Sequence, residues 1–114
     1  MISSDIIRGH LDSIILCLII EKDRYGYEIS KEIIKRTNEE FEIKEATLYA
    51  VFQRLEKKRL IKSYYGDETQ GGRRKYYKAT SLGQYYYSER VKEWRELKKI
   101  IDIFMENSGE NKAK

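Results

Sequence analysis

Three cationic side chains in a row, Arg73, Arg74 and Lys75, directly follow the glycine pair Gly71 and Gly72. Cations on a glycine-punctuated turn can approach a phosphate backbone closely, and arginine is drawn to the negative potential of a narrow groove. Earlier in the chain, Ala46, Thr47, Tyr49 and Gln53 recur with the spacing of one helix face, just after Lys44. They are mostly small or hydrogen-bonding groups, which a major groove accepts at its base edges. The competing readings are a solvated charged loop for the cations and partial core packing for Tyr49. Groups for other chemistry are scarce. His10 and Cys17 are the only histidine and cysteine, so no metal site, intrachain disulfide, Ser-His-Asp or Cys-His constellation is expected. No phosphate-cradling GxxxxGK[ST] motif is present. Neither an enzyme nor a cofactor is expected, and Cys17 reads as a small buried hydrophobe, with redox sensing as the alternative.

The charge distribution favours the cationic reading. The net charge is only +4, but residues 44–80 hold 10 basic against 4 acidic side chains, whereas residues 1–43 hold 6 against 9. A chain of 114 residues suits one domain with an attached element. The longest apolar run, Ile14 to Ile20, falls far below the roughly 20 residues that span a bilayer, so no membrane partner and a cytoplasmic location are expected.

Apolar periodicity gives the elements that must hold these groups. From Gly9 to about Glu21, Leu11, Ile14, Ile15, Leu18 and Ile19 mark a helical stripe, while Leu16, Cys17 and Ile20 fill the opposite side. A helix apolar all round needs cover on both sides, so this one is expected to touch more than its own domain. After Lys22-Asp23-Arg24 a second helix opens at Tyr25-Gly26-Tyr27 and runs to Thr37-Asn38 on Ile29, Ile33 and Ile34. Phe41-Glu42-Ile43 alternates and is read as a short strand. A third helix, about Glu45 to Lys58, turns Leu48, Val51, Phe52 and Leu55 inward and leaves Ala46, Thr47, Tyr49, Ala50, Gln53 and Arg54 near the outer surface.

Ile61 to Tyr65 and Arg74 to Ala79 then read as the two strands of a hairpin, with Tyr76 and Tyr77 on opposite faces. Thr80 or Ser81 can cap a final helix to about Asn107, about 40 Å long at 1.5 Å per residue. Trp94, Leu97, Ile101 and Phe104 form its helix-packing seam, widened by Val91 and Ile100, and a second copy is the simplest cover. The expected fold is mainly α with a small β-hairpin: a winged helix-turn-helix over residues 1–80, a dimerisation helix over 81–107 and a fraying polar tail over 108–114.

The stretch EATLYAVFQRLEKKRLIKSYYGDETQGGRRKYYKAT from Glu45, together with YGYEI at Tyr25 to Ile29, resembles the signature of the PadR family of bacterial transcriptional regulators. The likeness covers nearly the whole chain. With one long helix after the hairpin, the chain looks like the short subfamily, most closely multidrug-sensing members of the LmrR type. The resemblance implies a homodimeric repressor on an inverted repeat in promoter DNA, its last helix packed on the partner's first. Leu11, Ile14, Ile15 and Leu18 would then meet Val91, Trp94, Leu97, Ile101 and Phe104 across the dimer. By family position Tyr25 and Lys44 would contact phosphates, Thr47 and Tyr49 would sit at the groove, and Gly71, Gly72 and Arg73 would form the wing tip. Trp94 falls where LmrR-type proteins line an intersubunit pore for planar aromatic molecules; a filled dimer core is the alternative. The chain departs from the family pattern at Ala50, often proline, and at Arg59, where many relatives end the helix with glycine. The remaining functional alternative is a winged-helix protein-interaction module without ligand sensing, since fold does not fix function.

Overall fold

The computed structural model describes residues 4–67 and 73–113. The order is α1 (Ser4–Ile7), a 3-10 turn (Arg8–His10), α2 (Leu11–Glu21), β1 (Arg24–Tyr25), α3 (Gly26–Arg36), α4 (Glu45–Lys57), β2 (Ile61–Tyr65), β3 (Lys75–Ala79) and α5 (Ser81–Ala113). The class is as expected, mainly helical with a winged hairpin, but the sheet has three antiparallel strands in the order β1-β3-β2.

One apolar core holds these elements. Ile15, Leu16 and Ile19 of α2 pack with Ile29 and Ile33 of α3 and with Leu48, Val51, Phe52 and Leu55 of α4, all buried. The alternation of β3 sends Tyr77 into this core, where its ring stacks on Phe52 with centroids 3.9 Å apart. Burial pushes the Tyr77 phenol up to about 12.

Two expectations are corrected. Phe41 to Ile43 forms no strand. The Thr37 hydroxyl accepts a hydrogen bond from the Phe41 amide at 3.1 Å and donates to the Ile33 carbonyl at 2.8 Å, while Ile43 plugs the core. Local side-chain bonds thus satisfy a backbone that a ladder would otherwise have to pair. The additional strand is instead β1, at the junction where Arg24 reads as a connection and Tyr25 as the start of the second helix: Arg24 pairs with Tyr77 and Tyr25 with Tyr76. Arg24 is buried, its Nε donating to the Leu18 carbonyl at 2.8 Å and its Nη2 to Glu21 at 3.0 Å, so the end of α2 is tied to the sheet.

Helix α4 ends in a left-handed cap at Arg59, φ 62°. The Leu60 amide donates to the Leu55 carbonyl and the Arg59 amide to that of Glu56, both at 2.9 Å, so two orphan carbonyls are satisfied. Thr80 joins this corner to α5: its amide donates to the Leu60 carbonyl, its hydroxyl donates to the Arg59 carbonyl at 2.8 Å with the Leu60 carbonyl at 3.1 Å as a second acceptor, and the same hydroxyl accepts from the Gly83 amide at 3.0 Å. From there α5 runs past the expected end near Asn107 to Ala113 and gives the molecule its 65 Å long axis. No proline interrupts it, and each added residue closes one more backbone hydrogen bond.

Candidate nucleic-acid interface

Helix α4 is held by its inner face and leaves Ala46, Thr47, Ala50 and Gln53 exposed. Lys44 is the exposed N-cap residue, so its ammonium and the first-turn amides lie at the same helix end, a region of partial positive charge. Tyr49 combines the two roles weighed for it. Its ring packs edge-on against Phe52 at 5.5 Å, yet 45% of the residue is exposed. Its hydroxyl lies over Gly26, where a β-carbon would come within 3.1 Å. Arg54, read as outer surface, is bound to α2: its guanidinium donates to both carboxylate oxygens of Asp12, which raises the Arg54 pKa. That pair fixes how α4 sits on α2, a long-range partnership with no local signal in the sequence.

The wing root is paired as far as Arg74, whose carbonyl accepts from the Gly66 amide at 2.8 Å. Arg73, Arg74 and Lys75 are all exposed, and the register sets Lys62 beside Lys78 on the same sheet. Gly71 and Gly72 lie outside the described residues. Tyr25, the N-cap residue of α3, is half-buried beneath the Arg74 guanidinium, 4.6 Å from its ring centroid. The start of α3 is therefore where Tyr49 from α4 and Arg74 from the wing converge, one over Gly26 and the other over Tyr25.

Residues 15–89 match the Transcriptional regulator PadR-like family. The chain belongs to that family. It is 55% identical to a transcriptional regulator from Clostridium thermocellum of known structure, over 92% of this chain and 99% of the other, with a TM-score of 0.85. A PadR family transcription regulator from hypervirulent Clostridium difficile is 44% identical over 85% of this chain and 99% of its own, TM-score 0.75. An uncharacterized protein of Lysinibacillus sphaericus is 74% identical over 93% of this chain and 97% of its own length. The PadR-like chain is thus a DNA-binding transcriptional regulator, in a family of regulators rather than enzymes. No helix among its described residues is long and apolar enough to cross a membrane.

The PadR-like chain divides the expected dimerisation set in two. Leu11, Ile15 and Leu18 are covered by their own chain, so α2 gives most of its apolar surface to the core of that chain, and only Ile14 of the four stays half-buried. On α5, Val91 is half-buried, whereas Trp94, Leu97, Ile101 and Phe104 are exposed together with Ile100, Ile103 and Met105. Trp94 meets His10 edge-on at 5.4 Å on the rim of an apolar groove of about 550 Å³. Ile7, Ile14, Cys17, Val91, Thr37 and Phe41 line that groove. Cys17 is a free, half-buried thiol rather than a fully buried one. The neighbouring Cys17 thiol, together with burial, pushes the Tyr87 phenol up to about 12.

Proposed function

We propose that this PadR-like regulator is a repressor that binds an inverted repeat as a homodimer and is released by planar aromatic molecules at the subunit interface. The observation that carries the reading is the exposed seam of α5, with Trp94, Leu97, Ile101 and Phe104 spaced as helix-packing positions. Covering such side chains stabilises an assembly by about 1.5–3 kcal/mol each when burial is complete. The four side chains are about half covered already, so one seam offers roughly 3–6 kcal/mol and the two seams of a two-fold interface roughly 6–12 kcal/mol, comparable with an association cost of about 4–15 kcal/mol.

In such a dimer the α4 helices enter successive major grooves about 34 Å apart and the wings lie on the flanking backbone. Lys44, Tyr25 and the wing cations contact phosphates, while Thr47, Tyr49 and Gln53 face base edges. A planar aromatic ligand stacks on Trp94, which is half exposed at the groove rim. It releases DNA only by binding a dimer geometry with mis-spaced reading helices more tightly than the DNA-competent one.

The test is light scattering of the purified chain, followed by retardation of the DNA upstream of its own gene, with and without planar aromatic compounds. A dimer is expected to retard that DNA and lose about three to five decades of affinity between about 50 and 200 mM salt. The aromatic compounds are expected to quench Trp94 and free the DNA. A monomer that leaves the upstream DNA unshifted at low salt overturns the proposal, and a dimer whose Trp94 no compound quenches removes the ligand.

A further inference from the structure

We infer that a row of tyrosines across the sheet seats the Arg74 guanidinium, which makes Tyr25 a positioning residue for the wing as well as a neighbour of the DNA backbone. The inference rests on the reading that the wing meets DNA. Register builds the row, because Tyr76 of β3 stands opposite Tyr25 of β1 on one side and Tyr64 of β2 on the other. Residues directly opposite in an antiparallel sheet share a face, so the three rings must lie side by side. Tyr25 meets Tyr76 edge-on at 5.5 Å, and Tyr76 stacks on Tyr64 at 5.7 Å. The Tyr64 hydroxyl donates to the Asp23 carboxylate and fastens the far end of the row to the turn before β1. Arg74 lies over the Tyr25 ring at 4.6 Å, a ring on which Tyr27 also stacks at 6.4 Å, while the Arg74 carbonyl is held by the Gly66 amide.

A flat guanidinium stacks on such a ring, whereas an ammonium meets it only as a point charge. An arginine held this way gives up less rotamer freedom when it engages a phosphate, so its contact is stronger for the same charge. The two-residue strand β1 thereby gains a role, because Tyr25 would not reach the wing root without the pairing of β1 to β3.

Binding of mixed-sequence duplex DNA, measured across a salt series, tests this with Tyr25→Leu, Tyr25→Phe, Arg74→Ala and the double variant Tyr25→Leu/Arg74→Ala, each checked for an unchanged melting transition. Arg74→Ala is expected to reduce the salt slope by about one per wing. Tyr25→Leu is expected to weaken binding about three-fold per wing with the slope preserved, because the cation remains but is no longer seated. Tyr25→Phe keeps the ring and should lose only the hydroxyl's own contact with the DNA backbone, so it binds more tightly than Tyr25→Leu, and Tyr25→Leu should cost less once Arg74 is absent. An equal loss from Tyr25→Leu in both backgrounds overturns the inference, as does a Tyr25→Phe variant as weak as Tyr25→Leu, which would assign the effect to the hydroxyl. An Arg74→Ala variant with unchanged affinity and slope instead overturns the underlying reading that the wing meets DNA.

Discussion

Replacing Gly83 with alanine should unseat the long helix from the DNA-binding domain. A β-carbon at Gly83 would lie 2.1 Å from the Leu60 carbonyl oxygen and 3.0 Å from its carbonyl carbon, and both are backbone atoms that no rotamer change can move. Relief requires a shift of about an ångström between the start of α5 and the left-handed cap of α4, with an overpacking cost of about 1–3 kcal/mol. That shift also stretches the bond from the Thr80 amide to the Leu60 carbonyl, now 3.0 Å and worth about 1 kcal/mol. Alanine returns about 1 kcal/mol as the better helix former, which leaves a net loss of about 1–3 kcal/mol. At about 4 °C per kcal/mol for a chain of this size, the thermal midpoint should fall by about 4–12 °C. Circular dichroism melting at one fixed protein concentration reads the shift, with Gly9→Ala as the control because nothing lies within 4 Å of a β-carbon there. If Gly83→Ala melts together with Gly9→Ala, the reasoning about this close approach is refuted.

Arg59→Gly removes a left-handed non-glycine residue at φ 62° and should stabilise the chain by up to about 1 kcal/mol, less the extra freedom glycine gives the unfolded state. Arg59→Ala keeps the strain, so denaturant melts in which alanine gains as much as glycine would assign the effect to lost charge instead. Acidification should weaken the junction of α2 and α3, because the Arg36 guanidinium, hydrogen-bonded to Glu21, holds that carboxyl below its ordinary value of 4.5. A carboxylate with a lowered folded pKa contributes stability that is complete above the ordinary value and is lost as pH falls through the folded one. Melting midpoints should therefore drop below about pH 4.5, and Glu21→Gln should flatten that acid limb while lowering stability at neutral pH. An acid limb unchanged in the variant would remove Glu21 from the account.

What the sequence determined by itself was everything whose signal is local. The stripes of Leu48, Val51, Phe52 and Leu55 and of Ile29 and Ile33, the alternation that separates Tyr76 from Tyr77, and the threonine before α5 each carry their own period or cap, so helices, hairpin and inward faces were legible. Ala46, Thr47 and Gln53 were legible as exposed for the same reason. Only tertiary structure decided the rest. A strand as short as Arg24–Tyr25 has no period and exists because β3 offers it an edge. Arg24 reads only as part of a connection between helices and Arg54 as outer surface, and each became a fastener through a group elsewhere in the chain, the Leu18 carbonyl or the Asp12 carboxylate. Phe41 to Ile43 alternates like a strand, yet the Thr37 hydroxyl took its backbone first. A helical wheel shows that α2 is apolar all round but not whose atoms cover Leu11, Ile15 and Leu18, because burial belongs to the contacts that a face finds in space and not to the residues that make it up.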